Sequence, residues 1–294
     1  PAEDAVLADD KPTFALRRRR KSSMWLACEA AAQGRADTVI SAGNTGALLA
    51  ISMFAMRMVE GAHRPALASF LPTSRGETVM LDLGANLECD AENLSEFSVM
   101  GSVFAQVLLG LDKPKVGLLN VGSEELKGHE ELRVAAARLR AENSPVNFHG
   151  FVEGNDIGTG LVDVIVTDGF TGNIALKSIE GTAKLYTSFV RDAFRTSTFA
   201  KIGYLFASGA WTKLRMRVDP RRYNGGVFLG LDGICVKSHG GTDDLGFAYA
   251  IGVAVDLVRY EYKNKLVEGL ARLKQVAPAP GPAAVELQAT GGAE

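Results

Sequence analysis

The chain has 294 residues, 47% of them hydrophobic and 22% charged, and a formal net charge of −2. That composition suits an ordinary globular protein able to bury a core without disulfides or a structural metal, and its near-neutral balance excludes a nucleic-acid binder driven by bulk charge. No apolar run is long enough to span a bilayer, the acidic start Pro1-Ala-Glu-Asp is unlike a signal peptide, and the scattered, odd set Cys28, Cys89 and Cys235 reads as reduced thiols in a cytosolic protein.

Residues 1–12 read as a polar loop, and the absence of an initiating Met leads us to expect that the chain is incomplete at its N-terminus. Arg17 to Lys21 is a run of five bases, read either as a solvated helix start or as a dock for an acidic partner. A helix over 22–33 follows, with Ser22 or Ser23 as its cap and Gly34 as its stop. Asp37 to Ile40 is a short strand that runs into Ser41-Ala-Gly-Asn-Thr-Gly-Ala47, and a buried helix covers 47–58. In that turn Asn44, Thr45 and Gly46 are open to two readings. One is a helix cap in a tight turn; the other is a loop whose glycines let the backbone approach an oxyanion while Asn44 and Thr45 donate.

Residues 66–72 and 78–83 have strand length, and the second ends in Leu81-Asp-Leu-Gly-Ala-Asn86. A buried Asp at a strand end needs partners, so Asp82 and Asn86 around Gly84 form either an Asx-turn or an anion-binding turn. A helix over 92–109 and a strand over 116–121 lead into Asn120-Val-Gly-Ser-Glu-Glu-Leu-Lys-Gly128. Lys127 there is a solvated surface lysine or, at the carboxyl end of a parallel strand, a cation for phosphate. A charged helix over 130–142 and strands over 146–152 and 162–166 precede Thr167-Asp-Gly-Phe-Thr-Gly-Asn173. Its two glycines between a strand and a helix over 174–194 give the phosphate-cradle pattern, with Asn173 at the cap and Lys177 one turn later.

Residues 195–222 break the rhythm. Phe199, Ile202 and Phe206, then Trp211, Leu214 and Val218, recur at helical spacing among Lys201, Lys213, Arg215 and Arg217. This basic amphipathic segment reads as a helical hairpin in a dimer interface or as a contact with an anionic membrane or an acidic partner. Residues 227–237 return to a strand or hairpin, Ser238-His239-Gly240 turns, and a helix fills 247–274. His239 is a structural turn residue or a proton-handling group. The Pro- and Ala-rich stretch 276–294 reads as a disordered tail.

The repeated strand, loop, helix order predicts one α/β domain over 1–275, with a mostly parallel sheet, helices on both faces, and 195–222 projecting. The three glycine-bearing loops together suggest a single crevice lined with backbone N–H groups. Dinucleotide, P-loop, C-x-x-C and H-E-x-x-H patterns are missing, and His63, His129, His149 and His239 are dispersed, so no cofactor and no metal are expected.

These segments, taken in order from Asp10-Lys-Pro12 through SAGNTGAL, LDLGAN with Cys89, LLNVGSEELKG, NFHGFVEG, TDGFTGNIALKSIEG and NGGVFLGLDGICVKSHG, resemble the bacterial (PlsX-type) phosphate acyltransferases. The resemblance covers about residues 10 to 257. It implies a three-layer α/β/α fold similar to phosphotransacetylase and isopropylmalate dehydrogenase. It further implies a cytoplasmic, peripherally membrane-associated homodimer that moves a fatty acyl group from acyl carrier protein to inorganic phosphate. The product would pass to a membrane glycerol-phosphate acyltransferase. A phosphotransacetylase-like enzyme using acyl-coenzyme A and a non-catalytic membrane-binding protein of the same fold are the alternatives. The family's opening strand and Asp-Ala-Met-Gly-Gly-Asp loop do not precede Pro1, so one wall of the site is expected to be missing.

On that resemblance, Lys127 is expected to meet the phosphate or the developing oxyanion, with Asn173 donating to the same centre and His239 in reserve. Asn44, Thr45, Gly46, Asp82, Gly84, Asn86, Glu124, Asp168, Gly169, Gly172 and Lys177 are expected to line the phosphate and substrate site. Arg17, Arg18, Phe199, Ile202, Phe206, Trp211, Lys213 and Arg215 are expected to touch carrier protein or membrane.

Overall fold

The computed structural model describes residues 1–217 and 219–276; of the stretch 276–294 expected to be disordered, Val276 is described and buried in the core, and 277–294, Val218 and the Arg215 side chain lie outside the described residues. Eight strands form one sheet in the order β1-β8-β7-β2-β3-β6-β4-β5. They are β1 Thr38–Ser41, β2 Ala66–Thr73, β3 Gly76–Leu81, β4 Lys115–Leu119, β5 Asn147–Val152, β6 Val164–Val166, β7 Gly226–Leu229 and β8 Ile234–Lys237.

β3, β6, β4 and β5 run parallel, as do β1 and β8. The middle is antiparallel: β7 pairs with both β8 and β2, and β2 with β3. The mostly parallel α/β expectation therefore holds, with an antiparallel join between two parallel wings. Only a tight turn separates β2 from β3, and a hairpin reverses direction where a helical crossover would not.

Side chains alternate between two cores. Val79, Leu81, Val116, Leu118, Val164, Val166, Val227, Leu229 and Val236 face the core beneath helices α4 (Ala91–Leu109), α5 (Glu130–Leu139), α9 (Asp244–Arg259) and α10 (Tyr262–Lys274). On the other face, Val39, Phe228 and Cys235 pack with α1 (Pro12–Arg18), α2 (Ser23–Ala32) and α3 (Thr45–Met56). Met80, Leu119, Val152 and Ile165 pack there with the foot of α6 (Gly169–Arg195). The result is three layers.

Local chemistry sets the helix ends. Ser22 accepts the Trp25 N–H at the start of α2. Asp90 and Asn93 form a reciprocal capping box on α4, and Gly110 ends it in the left-handed region. α1 occupies residues expected to be loop and base run; Pro12 at its first position pre-sets a helical φ. The expected final helix is two helices, because Glu261 adopts a left-handed φ of 56°. Its apolar stripe slips there: Gly246, Ala250, Ala254 and Leu257 are buried in α9, then Tyr262, Leu266, Leu270 and Leu273 in α10.

Beyond the foot of α6 the chain continues as α7 (Thr198–Phe206) and α8 (Ser208–Arg217). Phe194, Tyr204 and Trp211 join their rings at 5.3–5.8 Å between centroids. Arg217 returns the hairpin to the sheet by donating to the carbonyls of Thr73 and Ser74. No described helix is long and apolar enough to cross a membrane.

Candidate active site

The strand directions decide which loops share an end of the sheet. β3, β6 and β4 point the same way, so the segments that follow them gather at one end: 82–86, the start of α6, and 120–128. β1 and β8 point the opposite way, because three antiparallel pairings, β3 with β2, β2 with β7 and β7 with β8, lie between them and β3. Asn44, Thr45, Gly46 and His239 therefore lie at the other end. The expected single crevice of three loops is corrected to two loop clusters on opposite ends.

At the first end, Asp82 is fully buried and its carboxylate is saturated. Oδ1 accepts the N–H groups of Leu67, Gly84 and Ala85 at 2.9–3.1 Å. Oδ2 accepts the Asn86 backbone N–H at 2.7 Å and its side-chain amide at 2.9 Å. These amides point inward at a carboxylate, so they are not the open cradle expected for phosphate oxygens.

α6 is seated on this turn. Its cap is Asp168, which accepts the Thr171 N–H at 2.8 Å, and the Gly169 N–H donates to the Asn86 carbonyl at 2.7 Å. A Cβ on Gly172 would lie 1.9 Å from the Asp82 carbonyl oxygen, and one on Gly169 2.4 Å from that of Asn86. Both glycines thus serve close packing. Asn173, expected at the cap with a free amide, lies in the helix's second turn, and its Nδ2 donates to the Leu83 carbonyl at 3.0 Å. Cys89 belongs to the same junction; burial, then the charges of Asp82 and Asp168, push its thiol up to about 12, so it stays protonated.

The loop after β4 carries the free charge. Lys127 and Glu124 are exposed, and Lys127 has no hydrogen-bond or ion-pair partner for its ammonium among the described residues. Lys177 is likewise exposed, one turn beyond Asn173. The sequence reading left Asn120 without a role; it is buried and bridges both ends of this loop, and an Asn at a strand end facing a Lys-Gly pair was the available signal.

At the other end, Asn44 caps α3 by accepting the Ala47 N–H, and its amide donates to the carbonyls of Ala8 and Asp10 at 2.9–3.0 Å. A Cβ on Gly46 would meet Pro12 at 2.9 Å. The capping reading describes this turn, while Thr45 is exposed. His239 is exposed; its Nδ1 accepts the Gly241 N–H, which leaves Nε2 to carry the ring proton of the neutral form.

The base run divides. Arg19 pairs with Asp4 and Asp10, Lys21 with Glu3, and Arg20 lies over Trp25 and Phe54. Arg17 and Arg18 remain exposed. On the hairpin, Phe199 and Phe206 are 88% and 89% exposed, and Ile202 and Lys213 are exposed, whereas Trp211 turns inward. His63, Glu92 and Glu96 bring potential metal-ligand atoms within 4.8 Å of one another, a grouping the dispersed histidines did not suggest. His63 Nδ1 and N–H both meet the buried Glu96 carboxylate, at 2.5 and 3.0 Å.

The three-layer α/β fold gathers an unpaired lysine and polar loops at the carboxyl ends of parallel strands, the place where open α/β sheets bind their ligands. A family model described as fatty acid synthesis protein matches residues 1–265. The chain is 63% identical over 271 residues to a phosphate acyltransferase of Rhodospirillum centenum, covering 92% of this chain and 76% of that one. It is 57% identical over 278 residues to a phosphate acyltransferase of Paramagnetospirillum magneticum, covering 95% and 79%. The chain belongs to the phosphate acyltransferase family. Among solved structures, a branched-chain phosphotransacylase from Enterococcus faecalis matches with a TM-score of 0.55 at 15% identity over 81% of this chain and 80% of that one, and shares the fold.

Proposed function

We propose that this acyltransferase moves a fatty acyl group from the thioester of acyl carrier protein to inorganic phosphate. A phosphate oxygen attacks the thioester carbonyl, the tetrahedral oxyanion collapses, and the carrier thiolate leaves, giving acyl-phosphate and free carrier. Phosphate is nucleophilic at neutral pH, so the protein's work is positioning two reactants and stabilising the oxyanion.

The observation that carries this reading is the unpaired ammonium of Lys127 on a closed loop beside the seated N-terminus of α6. Lys127 supplies charge to the phosphate or the oxyanion, and Lys177 extends that field. Asp82, Asn86, Gly169 and Gly172 fix the seat. Asp168 orders the first turn, and Asn173 sits against Gly84 with its Oδ1 free of partners among the described residues. The exposed Arg17 and Arg18 and the apolar, basic tip of the hairpin suit an acidic carrier protein and an anionic membrane, and the exposed length of α6 suits a second copy of the chain.

The test is thiol release from palmitoyl-acyl carrier protein, with and without inorganic phosphate. Phosphate-dependent release with acyl-phosphate formed is expected, and Lys127→Ala should lower turnover ~100- to 1000-fold with folding intact. Cleavage of the coenzyme A thioester alone would move the reading to a phosphotransacetylase. No cleavage of either would leave a binding protein.

A further inference from the structure

Ten residues, 120–129, separate β4 from α5, and the chain must leave the sheet and return while holding Lys127 in place. Asn120 is 8% exposed and lies where the last β4 hydrogen bond forms, its N–H donating to the Val152 carbonyl at 2.8 Å. Its side chain then makes two further bonds. Oδ1 accepts the Val121 N–H at 2.8 Å, and Nδ2 donates to the carbonyl of Lys127 itself at 3.0 Å. The amide thus ties the first and last parts of the loop together.

Gly128 completes the closure. Its φ is 84°, in the region that favours glycine, and a Cβ there would lie 2.1 Å from Asn120 Oδ1. Inside the loop, the Lys127 N–H returns to the Glu124 carbonyl at 3.1 Å, and Glu125 pairs with Arg140 at 3.2 Å. Every one of these contacts involves the backbone or the acids; the Lys127 side chain is left to solvent. A buried amide that spends both donor and acceptor on one loop ties the two parts of that loop to each other, because either group left unpaired in the interior would be penalised.

We infer that Asn120 is the positioning residue for Lys127, acting with Gly128 as a clasp that fixes the lysine backbone and so the reach of its ammonium. The inference rests on the reading of Lys127 as the charge at the reacting centre. A carboxylate at position 120 is the sharpest probe. It keeps the size of the side chain and still accepts the Val121 N–H, but it turns an acceptor toward the Lys127 carbonyl.

The experiment is a double-mutant cycle in the thiol-release assay, comparing the parent protein, Asn120→Asp, Lys127→Ala and the double variant, with a melting curve for each. A misplacement of the order of 1 Å costs up to ~100-fold, so Asn120→Asp should lower turnover ~10- to 100-fold. In the Lys127→Ala background the same substitution should change turnover less than about twofold, because the group it positions is gone. Independent, multiplying losses would overturn the inference, since Asn120 would then act on something other than Lys127. Parent-like turnover in Asn120→Asp would also overturn it while leaving the Lys127 reading intact. Parent-like turnover in Lys127→Ala would remove the site reading and the clasp with it. If Asn120→Asp does not fold, Gly128→Ala enters the same cycle with the same expectations.

Discussion

α4 and α6 are the two longest helices, and the sequence treats them in opposite ways. α4 has 19 residues and buries 14 of them, including the polar Asn93, Ser95, Glu96, Ser98 and Ser102. α6 has 27 residues and buries only Gly169 and Gly172. One helix is held along its length by the sheet and by α5 and α10; the other is held at its foot and at the distant hairpin. The lesson is that α6 is anchored by close approach rather than by burial of large side chains. Everything that positions it is concentrated in one turn, and that turn belongs to the candidate active site.

The largest effect should come from the buried helix. Phe104 on α4 is fully buried against Phe70 at 5.3 Å and Tyr262 at 6.3 Å between ring centroids. Phe104→Ala should cost about 3–5 kcal/mol by chemical denaturation, the transfer free energy of the ring plus the cavity it leaves. Leu185→Ala on α6, where the side chain is 52% exposed, should stay within about 0.5 kcal/mol. Comparable losses at both positions would mean that α6 is covered in solution.

The next effect tests the foot. Gly172→Ala puts a methyl group into the space of the Asp82 carbonyl oxygen and should cost about 1–3 kcal/mol, since the helix must shift as a unit. Asp82→Asn replaces one of two saturated oxygens by an amide that faces N–H donors and should cost about 1–3 kcal/mol. Both should lower thioester cleavage more than Leu185→Ala does. A Gly172→Ala protein with parent-like stability and activity would show that the seat is looser than its geometry.

Much of this arrangement is written in the sequence, and the rest depends on long-range register. Apolar runs of strand length and the caps Ser22 and Asp90 are local, so the strands and most helices can be read directly. The α9–α10 break is also local, as the one-residue slip between Leu257 and Tyr262. The direction of β1 and β8 is not local: it depends on the antiparallel pairing of β2 with β7, Ala66 with Leu229, and on the parallel pairing of β1 with β8, Thr38 with Ile234, each joining residues more than 150 positions apart. That is why SAGNTG and TDGFTGN look alike in sequence and sit at opposite ends. The candidate site was legible as residue types but not as bonds. Nothing in Asp82-Leu-Gly-Ala-Asn86 says that its N–H groups turn toward the aspartate rather than toward a ligand.

A smaller effect comes from the His63–Glu96 pair at the start of α4. The hydrogen bond and charge of Glu96, with Glu92 and Asp90 nearby, hold the His63 imidazole above its ordinary range, while burial raises the Glu96 carboxyl. Both folded-state values lie above the unfolded ones, so both groups favour the folded state more when protonated. The His63 contribution is full below about pH 6.5 and is lost as pH rises through the raised value. Because His63 is largely exposed, the effect should be less than about 1 kcal/mol. Denaturation midpoints should fall as pH rises above about 6.5, and His63→Ala should flatten that slope. An unchanged slope in the variant would assign the pH dependence to other groups.

The smallest effect on stability tests the far end of α6. The hairpin sorts its aromatic residues in two directions: Trp211 stacks on Tyr204 and meets Phe194 edge-on, whereas Phe199 and Phe206 stand in solvent. The inward set holds α7 and α8 to α6; the outward set does no structural work that the fold requires. The double change Phe199→Ser and Phe206→Ser should therefore leave the denaturation midpoint unchanged within about 0.5 kcal/mol. It should also reduce cosedimentation with phosphatidylglycerol-containing vesicles, because an interfacial helix binds by the apolar area it inserts together with its basic charge. Raising the salt should weaken only the charge-dependent share of that binding. If the double variant still sediments like the parent, the outward aromatics do not face lipid, and the exposed length of α6 through α8 is better read as a surface for another protein chain.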